Sequence, residues 1–221
     1  MAQLAQAYKD DSTKTLLLQL ATAKDVDSFV QQTAVAQLAQ AYKDDSTKTL
    51  LLQLATAKDV DSFVQRTAVA QLAQAYKDDS TKTLLLKLAT AQDNNWYMQE
   101  IVVKQLAQVY KNDLDTKTLL RQLASADEDY FVRGIAVQQL AKVYKFQSEL
   151  FEIYYNCAAN DPFEHSHDDI IPNPRRVALE IIVKQYPQHE LTLPLLCDRA
   201  ENDPDEQVRK YAQKKLAELE K

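Results

Sequence analysis

The stretch that decides the fold is Asp59–Asp93, DVDSFVQRTAVAQLAQAYKDDSTKTLLLKLATAQD, because close copies of it recur every 34 residues. The run at residues 2–31 reappears letter for letter at residues 36–65, and a third copy that begins at Ala70 continues until it diverges at Lys87. Self-similarity at a fixed step of this length is the signature of a repeat protein whose units pack on their neighbours. The chain is therefore predicted to be one array of repeats.

Each repeat contains two segments with helical periodicity. Val64, Leu72 and Tyr76 follow the 3.6-residue spacing of one helical face, which we name helix B. The Asp-Asp-Ser cluster at residues 78–80 ends this helix and offers an N-cap to the next one. The leucine-rich run at residues 84–89 then gives a wide apolar face, which we name helix A. The pattern predicts a helix pair in every repeat.

The composition supports an all-α fold. One glycine and six prolines in 221 residues leave few of the residues that hairpin turns need, whereas helix-forming residues dominate. Two antiparallel helices cannot bury both of their faces alone, so neighbouring pairs must stack. We expect an α-solenoid of about six stacked antiparallel helix pairs that forms a single domain over residues 1–221.

Charge and hydropathy exclude several classes of partner. The net charge of -6 and the pI of about 5.1 disfavour a nucleic-acid partner, which needs a clustered positive field. No apolar run approaches the roughly 18 residues of a membrane helix, and no signal peptide opens the chain, so we expect a cytoplasmic protein. Cys157 and Cys197 have no CxxC spacing and are interpreted as ordinary thiols.

The regular step is interrupted once. Tyrosines end the B helices at 34-residue intervals until Tyr144, and the next one, Tyr186, follows after eight additional residues. The insertion falls in residues 161–174, DPFEHSHDDIIPNP, which is predicted to be a polar surface loop. Its His165 and His167 stand among carboxylates that could bind a divalent metal ion. A solvated acidic loop is the preferred interpretation, and neither a metal nor another cofactor is predicted.

The two ends of the array differ in character. The chain opens in the second half of a helix B, so the sequence starts in the middle of a repeat. An apolar end of this kind lacks the polar cap that solenoids normally have, which makes self-association through the N-terminal end a candidate contact. The last segment, residues 202–221, is rich in charge and is predicted to be a capping helix.

The repeats resemble the HEAT family. DEDYFVRGIAVQQLAKVY at residues 127–144 and NDPDEQVRKYAQKKLAEL at residues 202–219 share an Asp turn followed by V-R-x-x-A-x-x-x-L, with Arg133 and Arg209 at the arginine position. A step of 34 residues is also that of tetratricopeptide repeats, but the remaining pattern of those repeats is missing. The resemblance covers essentially the whole chain, in a short version of the repeat, and implies a right-handed solenoid.

The early repeats depart from the HEAT pattern at the arginine position. Gln31, Gln65 and Gln99 stand where the later repeats have arginine. This departure argues against a continuous ladder of Asp and Arg side chains across the whole array.

A narrower resemblance bears on function. Units such as TLPLLCDRAENDPDEQVRKYAQKKLAEL are similar to the HEAT-like arrays of cyanobacterial NACHT-type NTPases, which implies a scaffold or sensor segment of a larger protein. They are also similar to the HEAT-like repeats of the phycobilin lyase group, which implies a pigment-handling chaperone as the alternative. The chain has no GxxxxGK[ST], HExxH or GxSxG motif, so we expect a non-enzymatic scaffold that binds a protein partner.

Candidate contact residues are sought where the repeat changes. The regular tyrosines, and the aromatic series Phe29, Phe63, Tyr97 and Phe131, recur with the repeat and are interpreted as packing residues. Trp96 and Tyr130 replace the serines of the earlier repeats at the equivalent place. Because Trp and Tyr are enriched in interaction hot spots, we expect these two residues to form a contact patch for a protein partner. The repeated lysines, such as Lys48, are expected on a solvated face.

Overall fold

The computed structural model describes residues 9–91, 96–126, 129–164 and 173–219. Within these ranges every regular element is helical, and none of the helices is long and apolar enough to cross a lipid bilayer. The α-helices are α1 (Asp11–Thr22), α2 (Ser28–Ala41), α3 (Asp45–Thr56), α4 (Ser62–Ala75), α5 (Asp79–Ala89), α6 (Trp96–Val109), α7 (Leu114–Ala126), α8 (Tyr130–Val143), α9 (Phe151–Asn160), α10 (Pro174–Gln185), α11 (Thr192–Asn202) and α12 (Glu206–Leu219). A 3₁₀ turn at Ser148–Leu150 leads into α9.

The chain divides into two compact units, residues 1–110 and residues 111–221. In the first unit α1 pairs with α2, α3 with α4 and α5 with α6, and the B helices α2, α4 and α6 pack on one another in that order. In the second unit the pairs are α7 with α8, α9 with α10 and α11 with α12, and α8, α10 and α12 pack in the same way. The predicted fold class, an all-α solenoid of stacked helix pairs, is confirmed within each unit. A single domain over the whole chain stays a prediction.

Leucines of both helix types form the core of each unit. The largest side chains that are fully buried are Leu38, Leu51, Leu72, Leu85 and Leu106 in the first unit, and Leu120, Leu140, Leu150, Tyr154, Leu179, Ile182 and Leu196 in the second. Their recurrence along the sequence shows that each pair supplies the same positions to the core. The apolar face of one pair is thus covered by the next pair, as the repeat pattern requires.

Aspartates start the A helices of the first unit. The side chains of Asp10, Asp44 and Asp78 accept hydrogen bonds from the backbone N–H groups three residues further on, at 2.7 to 3.0 Å. An N-cap of this kind satisfies a backbone donor that the helix itself leaves without a partner. The predicted role of the Asp-Asp-Ser cluster is confirmed. Asp113 caps α7 of the second unit in the same way, at 3.0 Å.

The regular tyrosines join the end of each helix B to the turn that starts helix A of the same pair. Tyr42 and Tyr76 follow the last residues of α2 and α4, and their hydroxyls donate to the backbone carbonyls of Asp10 and Asp44, each at 3.0 Å. In the second unit the Tyr186 hydroxyl donates to the Gln147 carbonyl at 2.8 Å. The interpretation of these tyrosines as packing residues is confirmed. Tyr8, the first of the series, lies outside the described residues.

Lysines join neighbouring pairs. Lys14 of α1 donates to the Asp44 carboxylate at 2.7 Å, and Lys48 of α3 binds Asp78 at the same distance. Each ammonium group also donates to the serine two residues after that aspartate, at 2.8 Å. The expectation of a solvated face is therefore wrong for Lys48, whose side chain is 20 % exposed because it lies along the next pair. Lys117 makes the corresponding contacts in the second unit.

These contacts predict a stability that depends on pH. The Lys14 and Lys48 ammonium groups, followed by the cap hydrogen bonds, hold the pKa values of Asp44 and Asp78 below their usual range. A lowered pKa in the folded state contributes stability above the unfolded pKa of about 3.9, and this contribution is lost as the pH falls. Urea unfolding at pH 7 and at pH 3 should show this loss.

The variant Asp78→Asn isolates one of these carboxylates. It keeps an oxygen for the cap but removes the charge that faces Lys48, so we expect a cost below about 1 kcal/mol at pH 7 and a smaller difference between the two pH values. Asp79→Asn is the matched control, since it changes the charge by the same amount beside the cap. Equal pH dependence in the two variants would contradict this assignment.

Candidate interaction surface

Aromatic side chains stand exposed at the start of each B helix in the first unit. Phe29, Phe63 and Tyr97 are 73 %, 56 % and 47 % exposed. Their interpretation as packing residues is therefore wrong. The residue that follows the ring is buried in α4 and α6, as Val64 and Met98 show, and half-buried Val30 takes this place in α2. We name Phe29, Phe63, Trp96 and Tyr97 the aromatic edge.

The turn before each B helix sets the place of these rings. In α2 the carboxylate of Asp27 accepts the backbone N–H of Phe29 at 2.9 Å, and in α4 Asp61 accepts that of Phe63 at the same distance. This cap places the ring in the first helical turn, one residue before the apolar face begins. Because the segment DVDSFV is identical in both repeats, the ring stands in the same place each time.

Trp96 and Tyr97 extend the aromatic edge in α6. The two rings stack with their centroids 3.4 Å apart and their planes at 27°, and Trp96 is half-buried. The guanidinium carbon of Arg66 lies 5.6 Å from the Tyr97 ring centroid, a distance at which a cation is attracted to the ring face. Arg66 also pairs with Glu100 at 3.5 Å. Tyr97 is therefore part of a group in which one cation lies between an aromatic ring and a carboxylate.

Tyr130, the other residue expected to bind a partner, lies in the second unit. Its ring is half-buried, 4.5 Å from the Phe131 ring and 4.8 Å from the ring of Phe163. Phe163 follows α9 and is only 4 % exposed. Tyr130 thus packs on the segment after α9 and presents the remainder of its surface to solvent. Trp96 and Tyr130 therefore have different neighbours and lie in different units.

Aspartates outnumber lysines in the turns that precede the exposed phenylalanines. Residues 24–29 and 58–63 carry four aspartates and two lysines. Lys24 and Asp59 pair at 3.2 Å between neighbouring turns, and the Lys24 ammonium group lowers the pKa of Asp59. Asp25 and Asp61 are exposed as well. The surface beside Phe29 and Phe63 is acidic.

In the second unit, buried ion pairs connect neighbouring turns, as the exposed pair of Lys24 and Asp59 does in the first unit. Arg133 of α8 donates to both oxygens of the Asp161 carboxylate, at 2.7 and 2.8 Å, and both side chains are almost completely buried. Asp161 immediately follows α9, so the pair joins one helix pair to the next. Asp161 was expected in a solvated loop, and this expectation is wrong for Asp161 and for Phe163, because both residues pack inside the unit.

Arg175 repeats the arrangement one pair later. Its guanidinium group binds the Asp203 carboxylate at 3.1 Å and donates to the backbone carbonyls of Asp161 and Phe163, each at 2.7 Å. This arginine was not predicted from the sequence. It stands eleven residues before Tyr186, the same distance that separates Arg133 from Tyr144, and this spacing is the signal that could have identified it.

The glutamines of the early repeats donate hydrogen bonds to the turns within their own helix pairs. Gln31 donates to the Ala23 carbonyl at 2.5 Å, and Gln65 donates to the Ala57 carbonyl. A glutamine is too short and carries no charge to pair with the aspartate of the next turn. The buried ladder of Asp and Arg side chains is found in the second unit, whereas exposed Lys24 contacts the corresponding aspartate in the first.

A cavity of about 240 Å³ lies beside the Arg133–Asp161 pair and is lined in part by Cys157. Burial raises the pKa of the Cys157 thiol to about 12, so the cavity offers no thiolate nucleophile at neutral pH. His165 and His167 lie outside the described residues. Among the residues that are described, no group of three His, Cys, Asp or Glu side chains could hold a metal ion.

Comparison with known families agrees with the architecture. Residues 50–141, from α3 to α8, match the family model described as HEAT repeats. No curated protein matches the chain. The helix pairs, the recurring Asp turn and this match over part of the chain make the array similar to HEAT repeats, which generally mediate contacts with other proteins.

The buried ion pair predicts a specific loss of stability. Arg133→Met leaves the Asp161 carboxylate buried without its counterion, so the free energy of unfolding should fall by roughly 3 kcal/mol. Gln65→Met removes one hydrogen bond to a turn carbonyl and should cost about 1 kcal/mol. Urea unfolding followed by circular dichroism measures both values. An Arg133→Met cost no larger than that of Gln65→Met would contradict the importance of the buried pair.

Proposed function

We propose that this protein is a non-enzymatic interaction scaffold and that the aromatic edge of its first unit contacts a protein partner. The observation that carries the proposal is the exposure of Phe29, Phe63 and Tyr97 at the same place in three successive B helices. Large apolar side chains that recur together on a surface mark interaction sites, whereas single exposed apolar residues need no explanation.

The position of the rings within the fold supports this function. In α4 and α6 the residue after the ring, Val64 or Met98, already fills the core, so these exposed rings add little to folding. The supporting helices pack directly on one another, which gives the rings a rigid base. A rigid base lowers the entropy cost of binding, and aromatic side chains contribute large contact areas. Trp96, stacked on Tyr97, belongs to the same surface.

Tyr130 is proposed as a second contact position, in the second unit. Its half-buried ring resembles many hot-spot residues, which are anchored on one side and accessible on the other. Single variants are needed here, because Tyr130 also packs on Phe163. Tyr130→Ala should therefore weaken both folding and binding, whereas Trp96→Ala should mainly weaken binding.

Two finer proposals rest on the sequence, and a third rests on an exposed residue of α1. The similarity to the arrays of NTPase proteins supports a role as the cytoplasmic scaffold or sensor segment of a larger NTPase-type protein, which an NTPase module in the same reading frame would demonstrate. The similarity to the phycobilin lyase group supports the alternative of a pigment-handling chaperone, which co-expression with a phycobiliprotein subunit and bilin tests by absorbance. Leu16 of α1 is 50 % exposed and supports self-association near the N-terminal end, which light scattering of Leu16→Glu tests.

The scaffold function is tested by comparative capture. The full chain and the double variant Phe29→Ser/Phe63→Ser are used as baits in extract of the source organism, and the captured proteins are quantified and mapped by cross-linking. We expect the double variant to capture at least tenfold less of the specific partner than the unchanged chain does. Its free energy of unfolding should change by less than about 0.5 kcal/mol, because the rings are exposed.

Leu114→Ser is the matched control, since Leu114 is an apolar residue of the second unit that is 75 % exposed. It should capture the partner as well as the unchanged chain does. Equal capture by the Phe29→Ser/Phe63→Ser variant would remove the aromatic edge from the proposed function.

A further inference from the structure

We propose that the cavity beside the Arg133–Asp161 pair is a binding site for a guanidinium group, the planar cation at the end of an arginine side chain. The cavity lies between α7 and α9 in the second unit and has a volume of about 240 Å³. It takes no part in the aromatic edge, so this inference goes beyond the proposed function. It is drawn from a comparison with the next helix pair, which fills the equivalent place with an arginine of its own.

The ends of α9 and α11 are two copies of one segment. Residues 157–162 read CAANDP, and residues 199–204 read RAENDP, so the shared Asn-Asp-Pro aligns the two helices. The step between the copies is 42 residues, which is the repeat of 34 plus the eight inserted residues. In this alignment Cys157 of α9 stands where α11 has Arg199. A short thiol on one helix thus takes the place of a long cationic side chain on the other.

The same buried ion pair lies at the base of both places. Arg133 binds Asp161, and Arg175 binds Asp203, in each case through a carboxylate 28 residues further along the chain. The Oδ2 atom of Asp203 also accepts a hydrogen bond from Arg199, at 3.4 Å. One carboxylate therefore serves two guanidinium groups between α9 and α11.

The Arg199 side chain shows what this place accepts. Its guanidinium donates to the backbone carbonyl of Ala159, near the end of α9, at 3.0 Å, and to the Asp198 carboxylate at the same distance. The side chain is only 13 % exposed, because it lies between α9 and α11. Acceptors on several sides of a planar cation suit the fork of a guanidinium better than the point charge of an ammonium group.

Between α7 and α9 the equivalent place is the cavity. The Cys157 thiol lies 4.0 Å from Oδ2 of Asp161, the oxygen that corresponds to the one bound by Arg199. Ser125, near the end of α7, takes the place of Ala159 and lines the cavity together with Cys157 and Asp161. The backbone carbonyl and the carboxylate recur at this place, whereas α9 supplies a thiol instead of the guanidinium.

The rim of the cavity is polar and open to solvent. Ser125, Asn156 and Asn160 line it and are exposed, so a group from another molecule can enter. Asn156 stands where α11 has Asp198, which removes one carboxylate but keeps an oxygen that accepts hydrogen bonds. The C-terminal ends of α7 and α9 add partial negative charge, which favours a cation.

The volume of the cavity favours the end of one side chain over a whole cofactor. Pockets for small molecules usually measure about 300 to 1,000 Å³, and this cavity is smaller. A guanidinium group with a few methylene groups is a ligand of suitable size. It comes either from an arginine side chain of a protein partner or from a free small molecule, and the chemistry of recognition is the same.

The site is tested by titrating the full ¹⁵N-labelled chain with N-acetyl-arginine methylamide and following the backbone amide signals by NMR. We expect saturable shifts at Ser125, Cys157 and Asn160. N-acetyl-lysine methylamide is the matched probe, since it carries the same charge without the planar fork, and it should bind about fivefold more weakly.

Variants at two positions assign the binding to the cavity. Cys157→Arg places the chain's own guanidinium there and should abolish saturable binding, whereas Cys157→Ser should retain it. Asn156→Asp restores the carboxylate that α11 has at this position and should strengthen binding about threefold. Gln188→Glu changes the charge equally at an exposed position outside the cavity and should leave the affinity unchanged.

The outcomes decide the proposal even where one variant does not fold. Equal affinities for the arginine and lysine probes, or no response of the affinity to Asn156→Asp, would overturn the guanidinium site. A folded Cys157→Arg variant that still binds the arginine probe would also overturn it. Tighter binding of the peptide Gly-Ser-Arg-Ser-Gly than of free argininamide would support the site and assign it to a protein partner, and the reverse order would support it as a site for a small molecule.

Discussion

Every repeat of the first unit depends on one aspartate at the start of helix A. The carboxylate of Asp44 caps α3, accepts the Lys14 ammonium group from the preceding helix pair and binds Ser46, while its backbone carbonyl accepts the Tyr76 hydroxyl. The same residue thus starts a helix, closes a helix pair and joins this pair to its neighbour. Its contacts explain why Asp, Ser, Lys and Tyr recur together in the repeat. Each of them forms a hydrogen bond with a polar group that the packing of the apolar faces does not satisfy.

The two units connect their turns by different physical means. In the first unit the contact between Lys24 and Asp59 is exposed and contributes little, because water screens both charges. In the second unit Arg133 and Arg175 reach the corresponding aspartates inside the protein. A buried pair constrains geometry strongly, because either charge would be costly to leave alone. The first unit is therefore stabilised more by repeated apolar packing and helix caps, and the second unit more by specific buried polar contacts.

This difference bears on where a partner can bind. The Arg133 guanidinium and the Asp161 carboxylate are occupied by each other, whereas the turns of the first unit keep their carboxylates at the surface beside exposed rings. At the aromatic edge, the Arg66 guanidinium contacts both the ring of Tyr97 and the carboxylate of Glu100. The part of the array that repeats most faithfully is thus also the part that presents the most regular surface, and residues such as Phe63 serve this surface rather than the core.

The sequence by itself determined the helix pairs, their order and the role of the capping aspartates and tyrosines. These features depend on spacing along the chain and on hydrogen bonds between nearby residues, which an exact repeat displays directly. The placement of Phe29 and Phe63 was not predictable in this way, because a residue in the first helical turn lies at the margin of the apolar face, and only the packing of the neighbouring pairs decides whether it is covered. The partner of Asp161 was likewise decided by the tertiary structure, since Arg133 is distant in sequence and meets it only when α7 packs on α9 and α8 packs on α10.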